Sequence, residues 1–112
     1  MQFDTNRAAL LNNLAWGFAT NPDSKLRNGG DAVRLATRAC EMTDSQTTIF
    51  VGTLAAAYAE NSRFEDAVAA AQRACSLAAA ANQPDLLNRN QDLLELFRSH
   101  RPYHESVNAN GR

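Results

Sequence analysis

Apolar residues recur along the chain at intervals of three and four, the spacing that places side chains on one face of an α-helix. Leu10, Leu11, Leu14 and Phe18 form the first such stripe. It predicts a helix capped by Asp4 or Thr5 and running to about Thr20, where Asn21-Pro22-Asp23 stops it. A polar stretch ending in Gly29-Gly30 precedes a second stripe of Ala32, Val33, Leu35, Ala36, Ala39, Cys40 and Met42. Asp44 and Ser45 supply turn chemistry. Ile49, Phe50, Val51, Leu54, Ala55 and Tyr58 then mark a third helix. Asn61-Ser62 breaks it, and Ser62 with Glu65 reads as a capping box for a fourth helix, from about Arg63 through Leu77. Pro84-Asp85 opens a fifth, striped by Leu86, Leu87, Leu93, Leu94, Leu96 and Phe97 and closed by Arg101-Pro102. No segment alternates as a strand would, and the short turns imply antiparallel neighbours.

Two pairs of segments repeat. Leu11, Leu14, Ala15 and Phe18 resemble Val51, Leu54, Ala55 and Tyr58, an offset of 40 residues from Leu11 to Val51. Ala32-Val33, Ala36 and Arg38-Ala39-Cys40 resemble Ala67-Val68, Ala71 and Arg73-Ala74-Cys75, an offset of 35 residues from Ala32 to Ala67. One five-residue insertion reconciles the two offsets, and it lies in Asn21–Gly30.

This pattern resembles the tetratricopeptide repeat, a helical hairpin of about 34 residues with large, small and aromatic positions on its first helix and small residues on its second. Val51, Leu54, Ala55, Tyr58, Phe64, Ala67, Ala71 and Ala74 match in register. Leu11, Leu14, Ala15, Phe18, Ala32, Ala36 and Ala39 match once the insertion is allowed. Leu11 and Val51 stand where the family often has Trp, and Asp44 and Ala79 where a closing Pro is common. The resemblance implies an all-α chain of five helices, a short right-handed solenoid of stacked antiparallel hairpins. Its parts would be repeats at 8–44 and 48–79, a capping helix at 84–99 and a polar tail at 100–112, all within one domain.

The resemblance also implies a concave groove lined by the first helix of each hairpin. Its residues here would be Asn12, Asn13 and Trp16, then Ile49, Thr53, Ala56 and Glu60. Trp16 stands off the Leu11–Leu14–Phe18 stripe; it either anchors a partner or packs beneath the long loop or the fifth helix. Some family members clamp a terminal carboxylate with Lys, Asn and Arg. Asn13 matches one such position, but Thr53 faces it in the next repeat and no cation accompanies them, which argues against that mode. The loop Asn21–Gly30 is read as an extended turn with Leu26 as its plug, in preference to a binding element.

Composition narrows the function. Apolar residues at 45% and charged residues at 21% describe a globular chain. Eleven basic against 12 acidic residues leave a net charge of -1, which gives no electrostatic footing for nucleic acid or an anionic membrane. No signal peptide or spanning segment is evident, so the expected location is the cytoplasm. Cys40 and Cys75 read as buried free thiols at equivalent repeat positions. His100 and His104 are four apart, but Pro102 between them breaks the helix that a two-ligand metal face needs. The expectation is a non-catalytic module without cofactor or metal that binds a peptide or protein. The alternative is a structural cap of a larger repeat protein, or a self-associating homodimer.

Overall fold

The computed structural model describes residues 5–106. Among them are five helices: α1 (Thr5–Thr20), α2 (Gly29–Glu41), α3 (Thr48–Glu60), α4 (Phe64–Ala80) and α5 (Pro84–Arg98), with a 3-10 turn at Ser24–Leu26 and no strand. Each helix packs against the next in sequence, and α3 also meets α1 and α5. The odd-numbered helices therefore share one side of the molecule.

The core explains why so little aromatic mass suffices. Ala15, Ala19, Ala32, Ala36, Ala55, Ala67, Ala71 and Ala74 are all fully buried. Methyl groups let helix backbones approach closely, and the gaps at the margins are filled by larger side chains such as Leu54, Tyr58 and Phe64. Phe97 is the large exception: it is fully enclosed and anchors α5.

Local signals acted as follows. Asn28 caps α2, its Oδ1 accepting from the Asp31 amide at 3.0 Å, so Gly29-Gly30 opens that helix and does not end the loop. Gly29 is required there, because a Cβ would lie 2.9 Å from backbone atoms of Asn61 at the end of α3. The capping box expected of Ser62 and Glu65 does not form. Ser62 has φ 61° and sits past the end of α3, where the Arg63 amide reaches back to the Tyr58 carbonyl at 2.8 Å. Asn82 after α4 and His100 after α5 repeat this left-handed ending. Proline begins α5 as expected.

Three expectations change. The inward face of α1 is Ala8, Asn12, Ala15 and Ala19, whereas Leu10 and Leu14 are 59% and 49% exposed. Close helix packing admits the alanines and turns the leucines outward. Leu26, expected as a plug, is 57% exposed. The loop is held instead by Arg27, which pairs with Glu60 at 3.2 Å and donates to the Asn21 carbonyl at 2.7 Å, and by the Asn28 amide on the Phe18 carbonyl at 2.8 Å. Finally, residues 100–106 run back across the molecule, with the Glu105 amide on the Thr20 carbonyl at 2.7 Å. His100 stacks on Phe64 with ring centroids 5.2 Å apart, and His104 meets Glu60 at 2.6 Å, so both rings help to seat this strap. Residues 1–4 and 107–112, which include Asp4 and most of the tail expected to fray, lie outside the described residues.

Candidate functional site

A groove of about 420 Å³ opens between α1, α3 and α5, a volume within the range typical of ligand sites. Helical spacing sets its walls. Asn12, Asn13 and Trp16 come from one face of α1, and Ile49, Gly52 and Thr53 from the first turns of α3. Leu86, Arg89, Asn90 and Leu93 are contributed by α5.

Five of the seven residues expected at the groove thus line it: Asn12, Asn13, Trp16, Ile49 and Thr53. Ala56 is instead fully buried in the core. Glu60, at the far end of α3, is occupied by Arg27 and His104. The small side chain of Ala56 serves helix contact, and the carboxylate of Glu60 joins the loop and the strap to α3.

Trp16 is half-buried at the rim, and its position has elements of both earlier readings. Its indole N–H donates to Glu105 Oε2 at 2.8 Å. Tyr103 lies beside it, ring centroids 5.8 Å apart, and the Arg89 guanidinium stands 4.8 Å from the indole centroid. The strap therefore braces one side of the ring while the groove runs along it.

The floor is polar and incompletely satisfied. Asn90 is 3% exposed and Asn12 is 7% exposed. Asn90 Nδ2 donates to the Leu86 carbonyl at 2.8 Å, which fixes the amide orientation and turns Oδ1 toward Gly52. A Cβ on Gly52 would lie 2.7 Å from that oxygen, and its three nearest atoms all belong to Asn90. Neither Asn90 Oδ1 nor Asn12 Oδ1 has a hydrogen-bond partner. A buried acceptor left unpaired costs about 1–3 kcal/mol, and both oxygens lie beneath the groove surface, that of Asn90 against Gly52.

Reading α5 as a cap missed Leu86, Arg89, Asn90 and Leu93. The usable signal was Asn90 itself: a polar residue four after Leu86 and three before Leu93, interrupting an apolar stripe. Arg89 also supplies the cation that the groove-lining residues of α1 and α3 lack.

A second concavity of about 630 Å³ lies between α1 and α2, with Leu11 and Leu35 flanked by Arg7, Arg34, Arg38 and Glu41. Of the two thiols expected to be buried, Cys40 is buried and Cys75 is only partly so. Burial pushes the Cys40 thiol up to about 11, Arg73 pulling it down and Glu41 adding slightly to the rise. Cys75 is raised in the same direction by burial, with Arg98 opposing. Both are free. No helix among the described residues is long and apolar enough to cross a membrane.

No protein-family model, curated protein or solved structure matches the chain with significance. The reading of the groove therefore rests on its own geometry.

Proposed function

We propose that this chain is a protein-interaction module of tetratricopeptide-repeat type that holds a peptide or protein segment in the groove between α1, α3 and α5. The observation that carries the reading is one concave surface shared by three helices, in which exposed Asn13, Ile49 and Arg89 stand beside Trp16 and Leu86. Apolar walls with a few convergent hydrogen-bonding groups suit a ligand that offers both. The lining carries amides, a hydroxyl, an indole and a guanidinium, groups that bind and orient without transferring protons at neutral pH. The contact of α3 with both α1 and α5 is what stacked antiparallel hairpins capped by α5 would make.

The test is affinity capture from the source cells with the intact chain and with Asn13→Ala and Ile49→Ser, both at exposed groove positions. Partners held by the intact chain should be lost from both variants and retained by Gln72→Ala, on the exposed surface of α4. Equal recovery by all four proteins would remove the groove from consideration.

One observation favours a second, structural reading. The 40-residue offset pairs Leu10 with Phe50, Leu11 with Val51 and Leu14 with Leu54. On α3 those side chains pack around Cys40 of α2; on α1 Leu10 and Leu14 are bare. A preceding hairpin of a longer repeat array, or a second copy, would cover them. In that reading the chain caps a larger solenoid or forms a homodimer with no separate ligand. Sedimentation of the intact chain and of Leu14→Ser across the micromolar range separates the cases: a dimer lost in Leu14→Ser supports self-association, and a monomer in both excludes it.

A further inference from the structure

Resting on the structural reading above, we infer that the bare face of α1 receives an α-helix of a second polypeptide. Small side chains of that helix seat on Leu10 and Leu14, and its C-terminal end seats on Arg38. The site is distinct from the groove: the groove lining includes none of these residues and none of those around the concavity between α1 and α2.

The internal repeat says what covers such a face. The 40-residue offset places Leu10, Leu11 and Leu14 where α3 has Phe50, Val51 and Leu54. On α3 these side chains close around Cys40, in the last turn of α2. On α1 Leu10 and Leu14 are exposed. The cover that α3 receives is a helix, and it meets the large residues with a small one. A small side chain at that point lets the two backbones approach closely.

Two arginines at the 35-residue offset, Arg38 and Arg73, give a second and independent observation. Arg73 reaches from α4 to the turn that ends α2, its Nη2 donating to the Ser45 carbonyl at 2.9 Å. It thereby clamps the end of the helix that covers α3. Arg38 holds the matching place on α2 and is exposed. Among the described residues its guanidinium forms no ion pair or hydrogen bond. What Arg38 lacks is the end of a helix lying over α1. The last carbonyls of a helix have no intrahelical partner and carry the negative end of its dipole, so they suit an arginine.

Charge and chain path select the source of the helix. The concavity beside Leu11 is lined by Arg7, Arg34 and Arg38 against one carboxylate, Glu41, and Arg34 is paired with Asp31 on its own helix. Two copies of this face would set arginines against arginines. A helix with acidic residues at its C-terminal end complements them instead. The tight connection used within the chain is also closed to it. The turn joining α2 to α3 contains Ser45, which the 40-residue offset places at Thr5, and α1 is already helical there. A helix joined to α1 as α2 is joined to α3 would have to unwind that first turn, so the covering helix belongs to another polypeptide.

The experiment uses the whole chain and a fluorescein-labelled peptide with the sequence of residues 29–46, α2 and its turn, which end in Glu41 and Asp44. The peptide carries Cys40→Ala, and a lactam bridge between positions 34 and 38, both exposed on α2, holds it helical. The readout is fluorescence anisotropy. We expect saturable binding in the micromolar range, weakened about tenfold by Leu10→Ser or Leu14→Ser in the protein, the scale of one leucine left uncovered. Arg38→Gln in the protein should weaken it about fivefold, and Ile49→Ser in the groove should leave it unchanged. All three positions on this face are exposed, and thermal unfolding checks that the variants keep the fold. A peptide with Glu41→Gln and Asp44→Asn should lose affinity for the intact chain and not for Arg38→Gln. A peptide with Cys40→Glu should not bind. Binding that survives both leucine substitutions, or no saturable binding up to about a millimolar of peptide, overturns this inference. A dimer that Leu14→Ser abolishes and that binds no peptide keeps the structural reading and refutes the separate helix. A monomer that binds no peptide removes both.

Discussion

Gly52 and Asn90 set the floor of the groove, and their coupling can be worked out from the structure. In a helix interior, replacing glycine by alanine ordinarily stabilises by about 0.5–1 kcal/mol. At position 52 the new methyl would lie 2.7 Å from Asn90 Oδ1, far inside van der Waals contact. Asn90 must rotate, which breaks its 2.8 Å bond to the Leu86 carbonyl at about 1 kcal/mol. It must also leave its rotamer in a closed space, which costs about 1–2 kcal/mol more. Gly52→Ala should therefore destabilise by about 1–2 kcal/mol, a fall in Tm of several degrees for a domain of this size. In the Asn90→Ala background the three atoms nearest the new methyl are gone or withdrawn. The same change should then stabilise by about 0.5–1 kcal/mol. Urea unfolding of the four proteins gives the coupling directly, and about 2 kcal/mol is expected, with a reversal of sign between backgrounds. If Gly52→Ala stabilises equally in both, Asn90 does not occupy the floor as described, and its oxygen is not poised over Gly52.

Three further outcomes follow from other contacts. Gly29→Ala places a methyl 2.9 Å from the Asn61 backbone, which cannot rotate away; it should cost about 1–3 kcal/mol in urea unfolding, and a neutral result would mean that α2 and α3 are less closely apposed. Glu105→Gln removes the charge that accepts from the Trp16 indole; tryptophan emission should shift while Tm falls by no more than a few degrees, whereas unchanged emission would place the strap elsewhere. Because the folded Cys40 thiol is raised to about 11, the folded state holds that proton more tightly than the unfolded chain. Its stabilising contribution is intact below pH 9, the ordinary value for this thiol, and is lost as pH rises toward 11, by roughly 3 kcal/mol. Cys40→Ala should flatten that part of the pH profile, and an unchanged slope would contradict the assignment.

Helix positions were legible because the three-four spacing and the turn residues at Asn21, Asp44, Asn61 and Pro84 agree with each other. Which face each helix buries was less legible. On α1 the leucine stripe is the conspicuous pattern, yet the core selects Ala8, Asn12, Ala15 and Ala19. Alanine carries little weight in a hydrophobicity pattern but permits the closest approach of backbones, so an alanine-built core inverts the usual rule that the largest side chains point inward. The groove was legible in the part that α1 and α3 provide. Asn12, Asn13, Trp16, Ile49 and Thr53 converge from two helices whose equivalence shows in the repeat. The contribution of α5 was hidden because that helix has no repeat partner to align with. The strap was hidden for a different reason: Tyr103, His104 and Glu105 look like a polar tail until Trp16, Glu60 and Thr20 are seen to receive them. Local spacing carries no information about such distant contacts.

Site-specific photo-crosslinking tests the central claim most directly. A benzophenone side chain at position 49, in the groove, is compared with the same probe at position 72, on the exposed surface of α4, after irradiation in an extract of the source cells. The groove account predicts a discrete adduct from position 49 that is absent from position 72 and diminished by Asn13→Ala. Adducts of equal yield from both positions, or from position 72 alone, would contradict it.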